Sequence, residues 1–160
     1  MKTLTCAIVA AGGLLVADTS TAEITSTTGG GGGLDCTGAT LSQGVIWPPD
    51  HKMVAETIVA MDPTLTIAIF KIEQDEPVEM LGSGNTEPDG YINTSTSTAY
   101  VRAERSGLGT GRMYFIWYTA TDIYGQQCTG FVQAVVPHDQ GQGSNAVDTQ
   151  QRYDSTLLFD

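Results

Sequence analysis

Two histidines in this chain each stand beside an aspartate, in Asp50-His51 and His138-Asp139, and the run from Arg102 to Ser106 adds Glu104 and Arg105. Imidazole next to carboxylate is the raw material of a general base, or of a zinc site if further ligands converge. Adjacent residues on a strand point to opposite faces, so neither neighbour pair makes a dyad by itself. A zinc reading would need His51 and His138 to meet in space, with Asp75 or Glu104 as a third ligand. The expectation that asks least is that each imidazole bonds loop backbone at a strand end. Ser106 lacks the glycine frame of a nucleophile elbow. A hydrolase therefore stands behind every binding reading, no catalytic residue is assigned, and the chain is not expected to be an enzyme.

The same loops hold a second kind of chemistry. Of four arginines, three fall between 102 and 112. A guanidinium fork matches a carboxylate in two-point fashion, so Arg102 and Arg105 are expected to meet Asp75, Glu76 or Asp139 in a structural latch with Glu104. The competing reading is calcium. Asp75, Glu76, Glu87, Asp89, Glu104 and Asp139 offer hard oxygens on loops, with Asp75, Glu76, Glu104 and Asp139 as the narrowed ligand set. No EF-hand spacing is present, and the arginines compete for the same oxygens. No cofactor is expected unless calcium occupies this set. Trp47, before Pro48-Pro49, is expected to plug the end of the core.

These residues must be positioned by strands. No stretch sustains a helical period, whereas Val, Ile, Thr, Tyr and Phe crowd short runs bounded by Gly, Pro and Asp. Strands are expected at 39–46, 53–61, 65–73, 92–102, 112–121 and 127–136, with a short further one within 77–81. That predicts an all-β fold, an immunoglobulin-like antiparallel β-sandwich of six to seven strands. Ile72 breaks the alternation of Leu65, Ile67 and Ile69, which predicts a bulge. In such a topology Trp47, Asp50, His51, Asp75, Glu76, Arg102, Glu104, Arg105, His138 and Asp139 share one pole, and Cys36 and Cys128 share the other. The last two strands are apolar on both faces. Phe115, Trp117, Phe131 and Val135 form an outward patch needing a cover, from the tail residues Leu157, Leu158 and Phe159 or, the favoured option, from another molecule.

Composition bounds the setting. The chain has 160 residues, 41% of them hydrophobic, with net charge −11 and only 7 Lys+Arg. One domain with a real core fits that length. Such a surface repels phosphate backbones and anionic lipid, which excludes nucleic-acid partners. No membrane insertion is expected: the apolar stretch 4–17 is too short to span a bilayer. With Lys2 before it and Ser20-Thr21-Ala22 after it, 1–22 reads as a signal peptide. Residues 23–35, with Gly29 to Gly33, read as a flexible linker. The sandwich then covers 36–141, and 142–160 is a polar tail. Cleavage would remove Cys6 and leave an even pair, so Cys36 and Cys128 are expected to form a disulfide in an oxidising compartment.

The ordered motifs Cys36-Thr37-Gly38, Trp47-Pro48-Pro49-Asp50-His51-Lys52, Gln74-Asp75-Glu76-Pro77, Arg102-Ala103-Glu104-Arg105-Ser106-Gly107, Gly111-Arg112-Met113-Tyr114, Cys128-Thr129-Gly130 and Val136-Pro137-His138-Asp139-Gln140 resemble immunoglobulin-like modules of secreted bacterial proteins, related in style to hyalin-repeat and cadherin-like modules. The resemblance covers roughly 35–141. It departs at Asp50, where the family has Asn, and at Phe115, Trp117 and Phe131, where the family has polar residues. It implies a secreted, non-catalytic bacterial module. The expected job is extracellular adhesion or self-association through the apolar face, with a protein or a second copy as partner. The alternative is a calcium-dependent binding module using the acidic pole.

Overall fold

The computed structural model describes residues 33–79, 82, 84, 86–141 and 145–158. The expected signal peptide 1–22 and all but the end of the linker lie outside the described residues, as do Met80, Leu81 and Phe159. Among the described residues eight strands occur: β1 (Thr40–Leu41), β2 (Met53–Val59), β3 (Thr66–Gln74), β4 (Gly90–Asn93), β5 (Thr98–Arg102), β6 (Gly111–Thr121), β7 (Gln127–Pro137) and β8 (Tyr153–Asp154). They form two sheets, ordered β1-β2-β5-β4 and β7-β6-β3-β8, with antiparallel pairing throughout. This is the expected β-sandwich. Its first seven strands take the four-plus-three order of an immunoglobulin constant-type domain.

The long hairpin β6–β7 is the backbone of the fold, in register from Gly111↔Pro137 to Thr121↔Gln127. Its aromatic and β-branched residues suit a pleated surface buried on both sides. On the inner face Tyr114, Ile116, Tyr118, Val132, Ala134 and Val136 pack with Ile69 and Ile72 against Ala99 and Val101 of the other sheet. The expected bulge is present: Ile69 pairs with Tyr118, then Lys71 with Trp117. The extra residue brings Ile69 and Ile72, three apart, to the core side and leaves Phe70 half-exposed.

The first expected strand, 39–46, is broken in two. β1 pairs with β2, then the chain turns at Gly44 (φ +75) and Val45 bridges β7 in parallel at Val135. A glycine supplies this left-handed conformation without Cβ strain. The buried Glu56 carboxylate of β2 fixes the turn, accepting the Ser42 hydroxyl at 2.9 Å and the N–H groups of Gln43 at 3.0 Å and Gly44 at 3.1 Å. The single strand expected at 92–102 is also two. Asn93 accepts the Ser95 N–H on its side chain and Ser97 takes φ +47, so the short polar run makes a tight turn between β4 and β5. No strand lies in the described part of 77–81. Ile46, not Trp47, closes the core at this end: Ile46 is buried, whereas Trp47 is 41% exposed.

The tail has a path that its polar composition concealed. Thr149 bonds Asp75 through both its N–H and its hydroxyl. Tyr153–Asp154 then add to β3 as its outer neighbour, and Ser155 exchanges backbone bonds with Ile72 and Gly90. The polar residues themselves make the crossing, so an apolar strap is unnecessary. Leu157 and Leu158 stay exposed and do not cover the outer face.

Candidate functional site

Strand direction brings the ends of β3, β5 and β7 and the segments 47–52 and 103–110 to one pole, as the topology predicts. Its centre is Arg112, wholly buried at the start of β6. Arg112 Nη1 donates to Asp89 Oδ2 at 2.6 Å and to the Tyr114 hydroxyl at 3.2 Å, and Nε donates to Glu76 Oε2 at 3.0 Å. Glu76 also accepts the Ser106 N–H at 2.9 Å, and Gln74 donates to Asp89 at 2.8 Å. Tyr114 donates its own hydroxyl to the Arg102 carbonyl at 2.9 Å. Burial works against the Arg112 charge, but Tyr114, Asp89 and Glu76 outweigh it and tighten its hold on the proton. Burial pushes the Asp89 carboxyl up from its ordinary value, with Arg112 opposing, and pushes the Tyr114 phenol up strongly. Because a guanidinium does not deprotonate in proteins, the cluster is ionic at neutral pH.

The latch thus has different partners from those expected. Arg102 meets Asp89, at 3.4 Å, and donates to the carbonyls of His51 and Pro88. Arg105 donates to the His138 carbonyl at 2.9 Å. Neither meets Asp75, Glu76 or Asp139 in an ion pair among the described contacts. Asp75 instead accepts the N–H groups of Met113 and Thr149, and burial raises its carboxyl above the ordinary range. The reason is depth: Arg112 lies on the inner face of β6, while 102 and 105 flank the turn outside it.

The histidines divide. His138 makes the expected backbone contact, Nε2 to the Gly107 carbonyl at 3.3 Å. Its Nδ1 also reaches Asp139 at 3.2 Å, because the pair sits in a bend after Pro137 where strand alternation no longer separates neighbours. His51 (φ +64) turns its ring to the buried Glu104, Nδ1 to Oε2 at 3.0 Å, and Thr86 donates its hydroxyl to the same oxygen. Asp50 pairs with Lys52 rather than with His51. Both imidazoles are partly open to solvent. Among the described residues no group of three or more His, Cys, Asp or Glu side chains is placed to hold a metal ion. Asp75, Glu76, Glu104 and Asp139 are each engaged by other partners and do not converge.

At the opposite pole Cys36 and Cys128 are disulfide-bonded, with Cα atoms 5.7 Å apart. The outer face of β6 and β7 carries the expected aromatic residues. Trp117 and Phe131 lie with ring centroids 4.9 Å apart, and Phe115 and Phe131 at 5.8 Å. Phe115 is fully buried because the Arg152 guanidinium lies over its ring at 3.7 Å, held by Asp148 at 2.8 Å. Trp117, Phe131 and Val135 are only half-buried. The Trp117 indole N–H donates to Glu73 at 2.8 Å, and Glu73 also pairs with Lys71 at 2.6 Å.

Sequence reasoning missed Arg112 as the hub, Glu56 as a turn anchor and Arg152 as a lid on Phe115. The signal for Arg112 was present, since a charged residue stood at an inward position of an otherwise apolar strand. No known family's sequence model matches the chain, and no curated protein or solved structure is similar enough to count as a match.

Proposed function

We propose that this chain is a non-catalytic, secreted binding module that adheres to a protein, or to a second copy of itself, through the outer face of the β7-β6-β3-β8 sheet. The observation that carries this reading is the row Phe131, Trp117 and Phe70. The tail covers Phe115 yet leaves Trp117 and Phe131 half-buried and Phe70 53% exposed. Rigid aromatic anchors on a flat sheet are what protein interfaces use as energetic centres. Most charges around the row are paired within the face, Lys71 with Glu73 and Arg152 with Asp148, while Asp154, opposite Glu73, accepts from Thr156. Little like-charge repulsion would therefore oppose the meeting of two such faces, despite the net charge. The disulfide is in keeping with an oxidising compartment, and the resemblance to secreted immunoglobulin-like modules points the same way.

Sedimentation velocity of the full chain against a Trp117→Thr/Phe131→Ser variant tests the reading. Concentration-dependent mass in the parent, lost in a variant with the same melting temperature, supports self-association. A monomeric parent whose surface adhesion is unchanged in the variant would reject the face as a contact site.

A further inference from the structure

The end of the sandwich that holds the disulfide has the construction of a binding surface, and it is independent of the aromatic sheet face. Four segments gather there: the entry at 33–39 and the turns 60–65, 94–97 and 122–126. Loops at one end of an immunoglobulin-type sandwich are where such folds carry recognition. Three of these segments hold an aspartate, Asp35, Asp62 and Asp122, and none holds Lys, Arg or His. Each aspartate ties its own turn. Asp35 accepts from Thr37 N–H at 2.7 Å, Asp62 from Thr64 N–H at 2.8 Å, and Asp122 from the N–H groups of Tyr124 and Gln126 at 2.9 and 2.8 Å.

Turns braced in this way hold large apolar side chains in water. Met61 is 79% exposed, Ile123 77% and Tyr124 83%. Met61 lies over Gly38, where an added Cβ would stand 2.4 Å from its sulfur. Beside it opens a cavity of about 240 Å³ with Leu34, Leu65 and the buried Tyr118 among its walls and Asp35 and Asp62 at its edge. The Tyr118 hydroxyl donates to the Cys36 carbonyl at 2.7 Å, so this wall is fixed to the disulfide. Local donors, backbone N–H first, hold Asp35 and Asp62 below the usual carboxylate range, so both remain anionic at neutral pH.

We infer that this pole binds a cationic, apolar segment of another protein, with a Lys or Arg reaching the aspartates while a neighbouring aliphatic or aromatic side chain enters the cavity. Charge complementarity selects that occupant over a second copy. Every described Lys and Arg of this chain already has an acidic or carbonyl partner: Lys52 with Asp50, Lys71 with Glu73, Arg102 and Arg112 with Asp89, Arg105 with the His138 carbonyl, and Arg152 with Asp148. A partner must bring its own cation. Braced turns with exposed aromatic and aliphatic tips reduce the ordering cost of binding.

Fluorescence anisotropy tests this with the full chain and a labelled short peptide holding one leucine between two lysines. Controls are the same peptide with glutamates for lysines and an oligolysine without leucine. The lysine-leucine peptide should bind, and more weakly as salt rises. Met61→Ser/Tyr124→Ser should weaken binding about tenfold or more at an unchanged melting temperature. Asp35→Asn/Asp62→Asn, which keeps side-chain acceptors for the turns, should weaken binding and reduce its salt dependence. Trp117→Thr should leave it unchanged, which separates this pole from the sheet face. The inference is overturned if the glutamate peptide or oligolysine binds as well, if either double variant binds like the parent, or if nothing binds by about 1 mM. It is equally overturned if Met61→Ser/Tyr124→Ser lowers the mass of the chain in sedimentation, which would assign the pole to a second copy. An Ile24→Ser change that shifts the Met61 methyl signal would assign it to the chain's own leading segment and would overturn the inference too.

Discussion

Arg112 and Asp89 form an ion pair at 2.6 Å with neither side chain reaching solvent. The same guanidinium holds Glu76, so one cation answers two buried carboxylates from the 75–89 segment. Removing it would leave Glu76 buried without a cation and Asp89 with only Arg102, at 3.4 Å. Arg112→Ala is expected to destabilise the fold by about 3–5 kcal/mol. Arg112→Lys should recover only part of that, since an ammonium cannot present the two directed donors that Nε and Nη1 supply. Chemical denaturation measures both, and an unchanged midpoint for Arg112→Ala would reject the latch.

Phe115 owes its burial to Arg152, which gives the tail a titration. The hydrogen bond from Arg152 holds the Asp148 carboxyl below its usual value. A carboxylate depressed in the folded state contributes stability that is present above the unfolded pKa, near 4, and is lost as pH falls through the folded one. Protection of the Thr149 and Ser155 amides, taken relative to their intrinsic exchange rates, should therefore fall below about pH 4, before global unfolding. Asp148→Asn should bring the same loss of protection at neutral pH. If these amides exchange alike in parent and variant, the Asp148–Arg152 pair does not secure the tail.

The disulfide closes a separation of 92 residues. In the chain-entropy account such a loop stabilises by roughly 4–5 kcal/mol, and losses on removal run at about 2–5 kcal/mol. Cys36→Ala/Cys128→Ala should lower stability by that order while keeping the far-ultraviolet spectrum of a sandwich. Non-reducing peptide mapping should recover the linked pair from the parent, and two free thiols in protein kept under oxidising conditions would contradict it.

Glu56 anchors the turn where the first strand leaves one sheet for the other. Glu56→Leu would leave the donors of Ser42, Gln43 and Gly44 without their acceptor, at a cost of about 1–3 kcal/mol. The loss should be local, read as faster amide exchange at Gln43, Gly44 and Ile46 with Ala99 and Val101 unaffected. Uniform acceleration across both sheets would mean that Glu56 supports the core and not the turn.

Much of this architecture was legible because alternation is a property of neighbours in sequence. The two-sided apolar character of β6 and β7, the bulge before Ile72 and the pairing of cysteines at one pole all follow from period and topology. What stayed hidden depends on depth. Arg102, Arg105 and Arg112 look alike in a string, yet only the inward position of 112 selects it as the hub. The run Asn93–Ser97 reads as strand by its threonines until the Asn93 side chain claims the Ser95 N–H. The tail gave no apolar signal because it docks through Thr149, Arg152 and backbone bonds. The apolar tips Met61, Ile123 and Tyr124 drew no notice, since single exposed hydrophobics are ordinary and only the fold brings their turns to one end.

The division of the first strand between sheets bears on how the domain would respond to tension. A pull on the linker does not reach β1 first, because the disulfide passes it from Cys36 directly to Cys128 at the start of β7. From there it runs along the covalent backbone of β7 to a tail fastened at Glu73 and Gln74. With the disulfide intact the residues between 36 and 128 lie off the path of the load and only the tail is peeled away, whereas a reduced chain would yield β1 and the Val45 bridge one bond at a time. Single-molecule pulling on oxidised and reduced protein would show the difference as a short extension limited to the tail against a long one that includes both sheets.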